Sequence, residues 1–300
     1  MNNPIRSLVL AGLQETWRPL RAQLFPKLVM VDLSEQLVIG QPVKRGRPQE
    51  PIWTAPIPAL TCRDGVPQLK DAVGDFLGDL LLEYEGIDAQ LVVSLPRQAS
   101  HWRVVDWRAG QQPGDSVDAL RALNPDLGWP FSLEAAYLDV HPLPGRPASS
   151  LVIAAERSVV DAWVEVFAIA GSTLQHLLPS QVCLMWGLRD ALAATPAGTL
   201  VALLQPLDQQ TSLILWHQGV PEFERMLPGP MVDLIPALQQ SLAFYRNLQA
   251  PGAPVRLLLA APLEDQALLE PALDLEAEVV DHDGFGSLCL QGLGSLELVQ

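Results

Sequence analysis

Apolar residues at helical spacing open the chain: Ile5, Leu8, Val9, Leu13, Trp17, Leu20 and Leu24 fall on one face of a helix. From Leu28 the pattern shortens to strands, Leu28–Leu33, Gln36–Val43 and Pro51–Pro58, with a basic loop Lys44–Pro48 predicted to be exposed. The next helix carries Leu69, Val73, Leu77, Leu80, Leu81 and Tyr84 inward and stops at Gly86. Gln90–Leu95 is apolar enough for a strand covered on both faces, and His101–Trp107 is a further strand. Residues 108–128 are rich in Gly, Pro and Asp around a short helix, Val117–Leu123, and strands follow at Ala136–His141 and Ser150–Ala155. Ser158 and Asp161 have the S-x-x-D spacing of a helix start. That helix is expected to bury Val160, Trp163, Val164 and Phe167 and to end at Gly171.

The second half repeats the opening. Thr199–Leu204, a turn at Pro206–Gln210, Thr211–Trp216 and a strand through Phe223–Met226 form a second meander. A long helix bearing Leu234, Ile235, Leu238, Leu242 and Tyr245 follows. After it come a buried strand Val255–Ala260, a helical stretch over 264–273 and a last strand near Glu278–Val280. Two copies of strand–turn–strand–strand–helix–strand predict a duplicated α/β architecture of two lobes. Only the first copy carries an insertion, residues 95–155. The expected organisation is an N-terminal helical extension over 1–26, a first lobe from 27–94 and 156–196, the insert, and a second lobe over 197–300.

Composition narrows the function. The 300 residues are 49% hydrophobic, enough for a large core, and the net charge is −15. So acidic a chain repels phosphate backbones, which argues against nucleic acid as its partner. The basic side is almost all arginine, Lys27, Lys44 and Lys70 being the lysines. Residues 1–27 run against the trend: Arg6, Arg18, Arg21 and Lys27 against Glu15 give +3, the mark of a membrane surface or an acidic partner, or of a helix packed on its own domain. Cys62, Cys183 and Cys289 lie far apart with no C-x-x-C pair, as in a reducing compartment. No apolar run reaches the ~18 residues of a membrane span, and no signal peptide is recognisable, so a location in the cytoplasm is expected. Phosphate-binding loops, nucleophile elbows and H-E-x-x-H pairs are missing. Glu83 and Glu85 read as solvated, His282 between Asp281 and Asp283 as an exposed acidic turn, and Gly284-Phe285-Gly286 as a plain loop.

Five segments in order resemble the PilM family of type IV pilus assembly proteins. They are Val92-Val93-Ser94-Leu95-Pro96-Arg97 with His101-Trp102-Arg103-Val104-Val105; Gly128-Trp129-Pro130-Phe131-Ser132-Leu133-Glu134 with Tyr137-Leu138-Asp139-Val140; Leu151-Val152-Ile153-Ala154-Ala155-Glu156-Arg157; Gly219-Val220-Pro221-Glu222-Phe223-Glu224-Arg225; and Ser241-Leu242-Ala243-Phe244-Tyr245-Arg246. Gln240 stands where the last pattern opens with arginine. The resemblance implies an actin-like, ribonuclease H-like duplicated fold with a small α+β subdomain inserted in the first half, as in the related FtsA; the Trp129-Pro130-Phe131 stretch favours PilM.

Actin-like proteins grip ATP and Mg²⁺ between their halves with two acidic, glycine-containing turns and a third glycine-rich turn. Matched to that pattern, Asp32 and Ser34 are kept in the first turn and its glycine is replaced. In the second turn Gln205 stands for the acid and Leu207 for the glycine, with Asp208 out of register. Leu259-Ala260-Ala261-Pro262-Leu263 replaces the adenosine turn. The expectation is a degenerate site with no catalytic residue, no metal and no required cofactor, the alternative being an ATPase that uses Asp32 with Asp208. The resemblance also implies a partner, the N-terminal tail of a PilN-like membrane protein. Arg103, Trp107, Trp129, Pro130 and Phe131 of the aromatic-rich insert are the candidate contacts. Contact with pilus motor ATPases, membrane attachment through residues 1–26, and an FtsA-like filament former complete the expectations.

Overall fold

The computed structural model describes residues 27–86, 89–108, 110, 112–143, 146–207, 210–248, 251–264 and 266–296. The expected helix over 1–26 and Asp208 lie outside them.

The first lobe is built on β1 (Leu28–Leu33), β2 (Leu37–Lys44), β3 (Arg47–Pro48), β4 (Trp53–Pro56) and a small hairpin of β5 (Cys62–Arg63) and β6 (Val66–Pro67). Helix α1 (Lys70–Glu83) then leads into β7 (Gln90–Ser94). The insert contains β8 (His101–Asp106), α2 (Val117–Leu123), β9 (Ala136–Leu143) and β10 (Arg146–Glu156). The chain returns to the first lobe with α3 (Arg157–Ile169), β11 (Thr173–Leu178), α4 (Ser180–Gly187) and α5 (Arg189–Ala193). The second lobe has β12 (Leu200–Pro206), β13 (Gln210–His217), β14 (Val220–Pro228), α6 (Met231–Leu248), β15 (Val255–Leu259), α7 (Leu269–Leu273), β16 (Ala277–Val279) and α8 (Leu288–Ser295).

The duplication is visible in the strand order. One sheet runs β11-β7-β1-β2 with β3 and β4 both on β2; the other runs β16-β15-β12-β13-β14. In each, the first strand pairs antiparallel with the second and parallel with the strand after the long helix. The central strands are apolar on both faces, as parallel pairing between covered layers requires: Leu91, Val92 and Val93 of β7 and Leu257, Leu258 and Leu259 of β15 are fully buried. Separate cores form around Trp163 and Phe167 in the first lobe and around Leu238 and Tyr245 in the second. A shared core runs from Met30 and Val92 through Cys183 and Leu184 to Val201, Leu258 and Leu293. The insert is a three-stranded antiparallel sheet, β8-β10-β9, whose own core is Leu120, Leu127, Leu133, Val140 and Val152.

Two details of the expected helix that leads out of the insert are corrected. Helix α3 begins directly off β10 at Arg157, with Glu156 as a cap residue whose side chain makes no capping bond. Ser158 is therefore inside the helix and its hydroxyl donates to Glu156 (2.8 Å). The buried stripe is Val159, Ala162, Trp163, Val166 and Phe167, which leaves Val164 exposed. The indole of Trp163 sets this rotation, because its Nε1 donates to the Gly65 carbonyl (2.9 Å) from a fully buried position.

Candidate functional site

The three turns singled out in the sequence surround one crevice of about 660 Å³ between the lobes. Asp32, Leu33 and Ser34 at the end of β1 line it, with Gln205, Pro206 and Leu207 after β12, and Ala260 and Ala261 after β15. Parallel strands place these positions together, since β1 and β12 end on the same side of their sheets as the neighbouring strands β7 and β15. Asp208 follows Leu207 in the sequence and is outside the described residues.

Asp32 is held by the far end of the chain. The Ser287 hydroxyl donates to Asp32 Oδ2 at 2.7 Å and accepts from the Leu290 N–H at 3.2 Å, so one serine both caps α8 and binds the carboxyl. Burial raises the Asp32 carboxyl above its ordinary value, and the bond from Ser287 opposes the shift. Ser34 is spent locally, its Oγ accepting from the Gln36 and Leu37 N–H groups at 3.2 and 2.8 Å. Glu35 accepts from the Asp64 N–H (3.1 Å), which adds two more carboxylates to the wall. The facing cation, Arg97, is paired with Glu224. Burial lowers its guanidinium to about 9, which leaves it protonated at neutral pH.

The expected exposed turn at His282 is corrected: His282 lines the crevice, half-buried, with Nε2 2.6 Å from the Ala260 carbonyl oxygen. The Gly284–Gly286 segment is also more than a loop. The buried amide of Gln41 donates to the Gly284 carbonyl and accepts from the Gly286 N–H, both at 3.0 Å. Together these contacts bring the chain back over the first lobe, where α8 packs against α4, β1 and β7. Ser287 and Gln41 were not singled out from the sequence, and Arg97 entered only within a segment that resembles the family. A serine before Leu288-Cys289-Leu290, with no Glu or Gln three residues on, carries little cap signal.

The candidate residues of the insert gather on and beside β8. His101 and Arg103 point to one side, where the His101 ring lies 5.3 Å from Phe131 and 6.3 Å from Trp129, and Trp129 lies 5.8 Å from Phe131. Arg103 is exposed with its guanidinium beside Gly128. Trp129 and Phe131 are half-buried around an exposed Pro130, and both line a cavity of about 270 Å³ with Asn124 and Leu133. Trp107 sits deeper in purpose: it packs on the insert core and donates Nε1 to Ser150 Oγ (3.1 Å). Burial, then the Arg97 charge, lowers the His101 imidazole below its ordinary 6.5.

Among the described residues no group of three or more His, Cys, Asp or Glu is placed to hold a metal ion, and no helix is long and apolar enough to cross a membrane. No protein-family model matches the sequence, and no curated protein matches it. Solved structures do match. The PilM-PilN type IV pilus biogenesis complex contains a chain 19% identical, with a TM-score of 0.67 over 91% of this chain and 96% of that one. The cytoplasmic domain of EpsL, an inner membrane component of the type II secretion system of Vibrio cholerae, is 16% identical, with a TM-score of 0.51 over 89% and 92%. A Bacteroides thetaiotaomicron protein with an actin-like ATPase fold and unknown function is 9% identical, with a TM-score of 0.53 over 90% and 96%. These likenesses are of architecture, and they agree with the duplicated sheets: this chain has the two-lobed actin-like fold, with a small subdomain inserted in its first half.

Proposed function

We propose that this chain is a cytoplasmic adaptor of a type IV pilus inner-membrane platform that binds the N-terminal tail of a PilN-like membrane protein. The observation that carries the reading is the likeness to the PilM-PilN complex over both lobes and the insert. The half-exposed cluster of His101, Trp129 and Phe131 beside Arg103 adds a surface of the kind that takes a peptide: aromatic anchors with a charged neighbour at the rim. Trp107 supports that surface from beneath. Its place would be peripheral to the inner membrane, with residues 1–26 as a further contact and the pilus motor ATPases as downstream partners.

The crevice supports an adaptor better than an ATPase, because its residues do not fit a magnesium nucleotide. Asp32 is tied to Ser287 and desolvated, where Mg²⁺ wants a free, ionised carboxylate. Glu35 and Asp64 face the space a phosphate chain would cross, and Arg97 is engaged by Glu224. Leu33, Pro206, Leu207 and Ala261 put side chains where backbone N–H groups would have to approach phosphate oxygens.

The test is calorimetry of the full chain with a synthetic peptide of a PilN-like N-terminal tail. Binding is expected, and Trp129→Ala should weaken it at least tenfold, as a buried aromatic anchor worth about 2 kcal/mol requires. Unchanged affinity in Trp129→Ala removes the aromatic cluster from the site; no binding by the parent chain rejects the adaptor reading.

A further inference from the structure

Glu222 and Glu224 lie two residues apart on β14, Glu222 being the extra residue at a register shift against β13, and both side chains reach the insert. Glu224 forms an ion pair with Arg97 and accepts from Trp102 Nε1 at 2.8 Å and from Ser212 Oγ at 3.4 Å. Glu222 forms an ion pair with Arg146 and accepts from the Tyr245 hydroxyl. Arg97 and Trp102 stand where the chain enters the insert, and Arg146 stands at the start of β10, so lobe two holds the insert at separated points. The contact is dry at its centre. The side chains of Arg97 and Glu222 are each 9% exposed, and Leu143, Leu151 and Ile153 pack on Val220 of β14.

The covalent path makes this contact more than local packing. The insert is continuous with lobe one at both ends, through β7 and α3. Once β14 grips it, the lobes are joined a second time beside the crevice, where Arg97 is part of the wall. Any rotation that opens the crevice must pull β14 away from Arg97, Trp102 and Arg146. Separating them gives up two ion pairs, the indole bond and the packing on Val220 together, so the closed arrangement is one well of a two-state element.

We propose that Glu222 and Glu224 are a latch through which the inserted subdomain keeps the crevice closed without any ligand bound in it. Closure then belongs to the protein itself, and the insert is the element that releases it. The latch needs neither a peptide nor a nucleotide, so it stands or falls apart from the adaptor reading.

The experiment measures lobe separation by double electron–electron resonance on the full chain. Spin labels go on Asp79→Cys in α1 and Arg246→Cys in α6, both exposed, in a Cys62→Ser background. The parent is expected to give one narrow distance distribution. Glu222→Gln with Glu224→Gln should add a longer-distance population at least tenfold above the parent's. The exchanged pair Arg146→Glu with Glu222→Arg should suppress that population relative to either single change. A distribution unchanged in the double glutamine variant, or an exchanged pair no better than its single variants, overturns the latch. If the double glutamine variant does not fold, Arg146→Gln alone is read by hydrogen exchange. Faster exchange in β8 and β14 supports the proposal, and unchanged exchange there overturns it.

Discussion

Replacing Gly292 by alanine tests whether the last helix seals the crevice. Helices α4 and α8 meet backbone to backbone: a Cβ on Gly292 would lie 2.6 Å from the Cys183 carbonyl carbon, and one on Gly187 would lie 2.9 Å from Leu288 Cδ1. The near atoms at Gly292 are all backbone of Cys183, with no side chain that could swing aside. The alanine variant has two ways out. Peeling α8 off would expose Leu288, Leu290 and Leu293, now 2%, 0% and 0% exposed; at ~1.5–3 kcal/mol for each side chain that comes to roughly 5–9 kcal/mol. Sliding α8 to admit one methyl costs about 1–3 kcal/mol, the usual overpacking penalty, less up to ~1 kcal/mol for alanine's better helix propensity. The slide is cheaper, and because the obstructing atoms are backbone the upper half of that range applies, so a net loss of about 1–3 kcal/mol is expected, or roughly 2–12 °C in Tm by the scaling of domains somewhat smaller than this one. Scanning fluorimetry reads the Tm, and Ellman's reagent reads the helix. Cys183 and Cys289 are fully buried with thiols raised by desolvation, so they should react slowly in the parent and faster once α8 has shifted. A Tm within about 1 °C of the parent, with unchanged thiol kinetics, would refute the tight α4–α8 crossing.

Asp32→Asn should stabilise the protein at neutral pH. A carboxyl raised by burial holds its proton longer folded than unfolded, so its contribution is intact below the ordinary 3.8 and is lost as pH rises through the folded value; the asparagine variant should gain on the parent from pH 4 to 8 in urea melts. Equal or lower stability at pH 8, or micromolar Mg-ATP binding by the parent that the variant loses, defeats the reading of this crevice as one that has no use for the charge. His101 gives the opposite slope. Its lowered pKa means the unfolded chain takes up the proton first as pH drops below 6.5, so acidification should raise hydrogen exchange in β8 relative to its intrinsic rate, and His101→Phe should flatten that response. A parent whose β8 exchange follows only the intrinsic pH dependence would contradict it.

Most of the framework is legible in the sequence because its elements are amphipathic in one clear register. Leu28–Leu33 and Val117–Leu123 are strand and helix with the expected bounds, and the meanders, long helices and central strands of both halves stand where the pattern puts them. What the pattern hides has physical causes. Helix α8 is not marked by the pattern, because Gly292 and Gly294 lower its propensity, yet Gly292 is what allows its close approach to α4. Strand β11 is half-buried at a sheet edge and carries a mixed sequence, Thr-Leu-Gln-His-Leu-Leu. The turns that line the crevice could be found by resemblance because each follows a strong strand. Their partners could not: Ser287 reaches Asp32 across 255 positions and Gln41 reaches Gly286 across 245, and nothing local records such a pairing.

Those distant partners share one mechanical role. Ser287 ties the first turn to α8, Gln41 ties β2 to the segment before α8, and Glu224 ties the start of the insert to β14. Each joins parts of the chain on opposite sides of the crevice or immediately beside it, and each uses a half-buried or buried polar group whose loss would leave its partner unsatisfied. On the proposed reading this is what an adaptor in an actin-like fold requires. A catalyst opens and closes around its substrate, so its lobes must be joined by something that leaves. A platform component must present one surface steadily, so its lobes are better joined by its own side chains, and the crevice persists as the seam along which they meet.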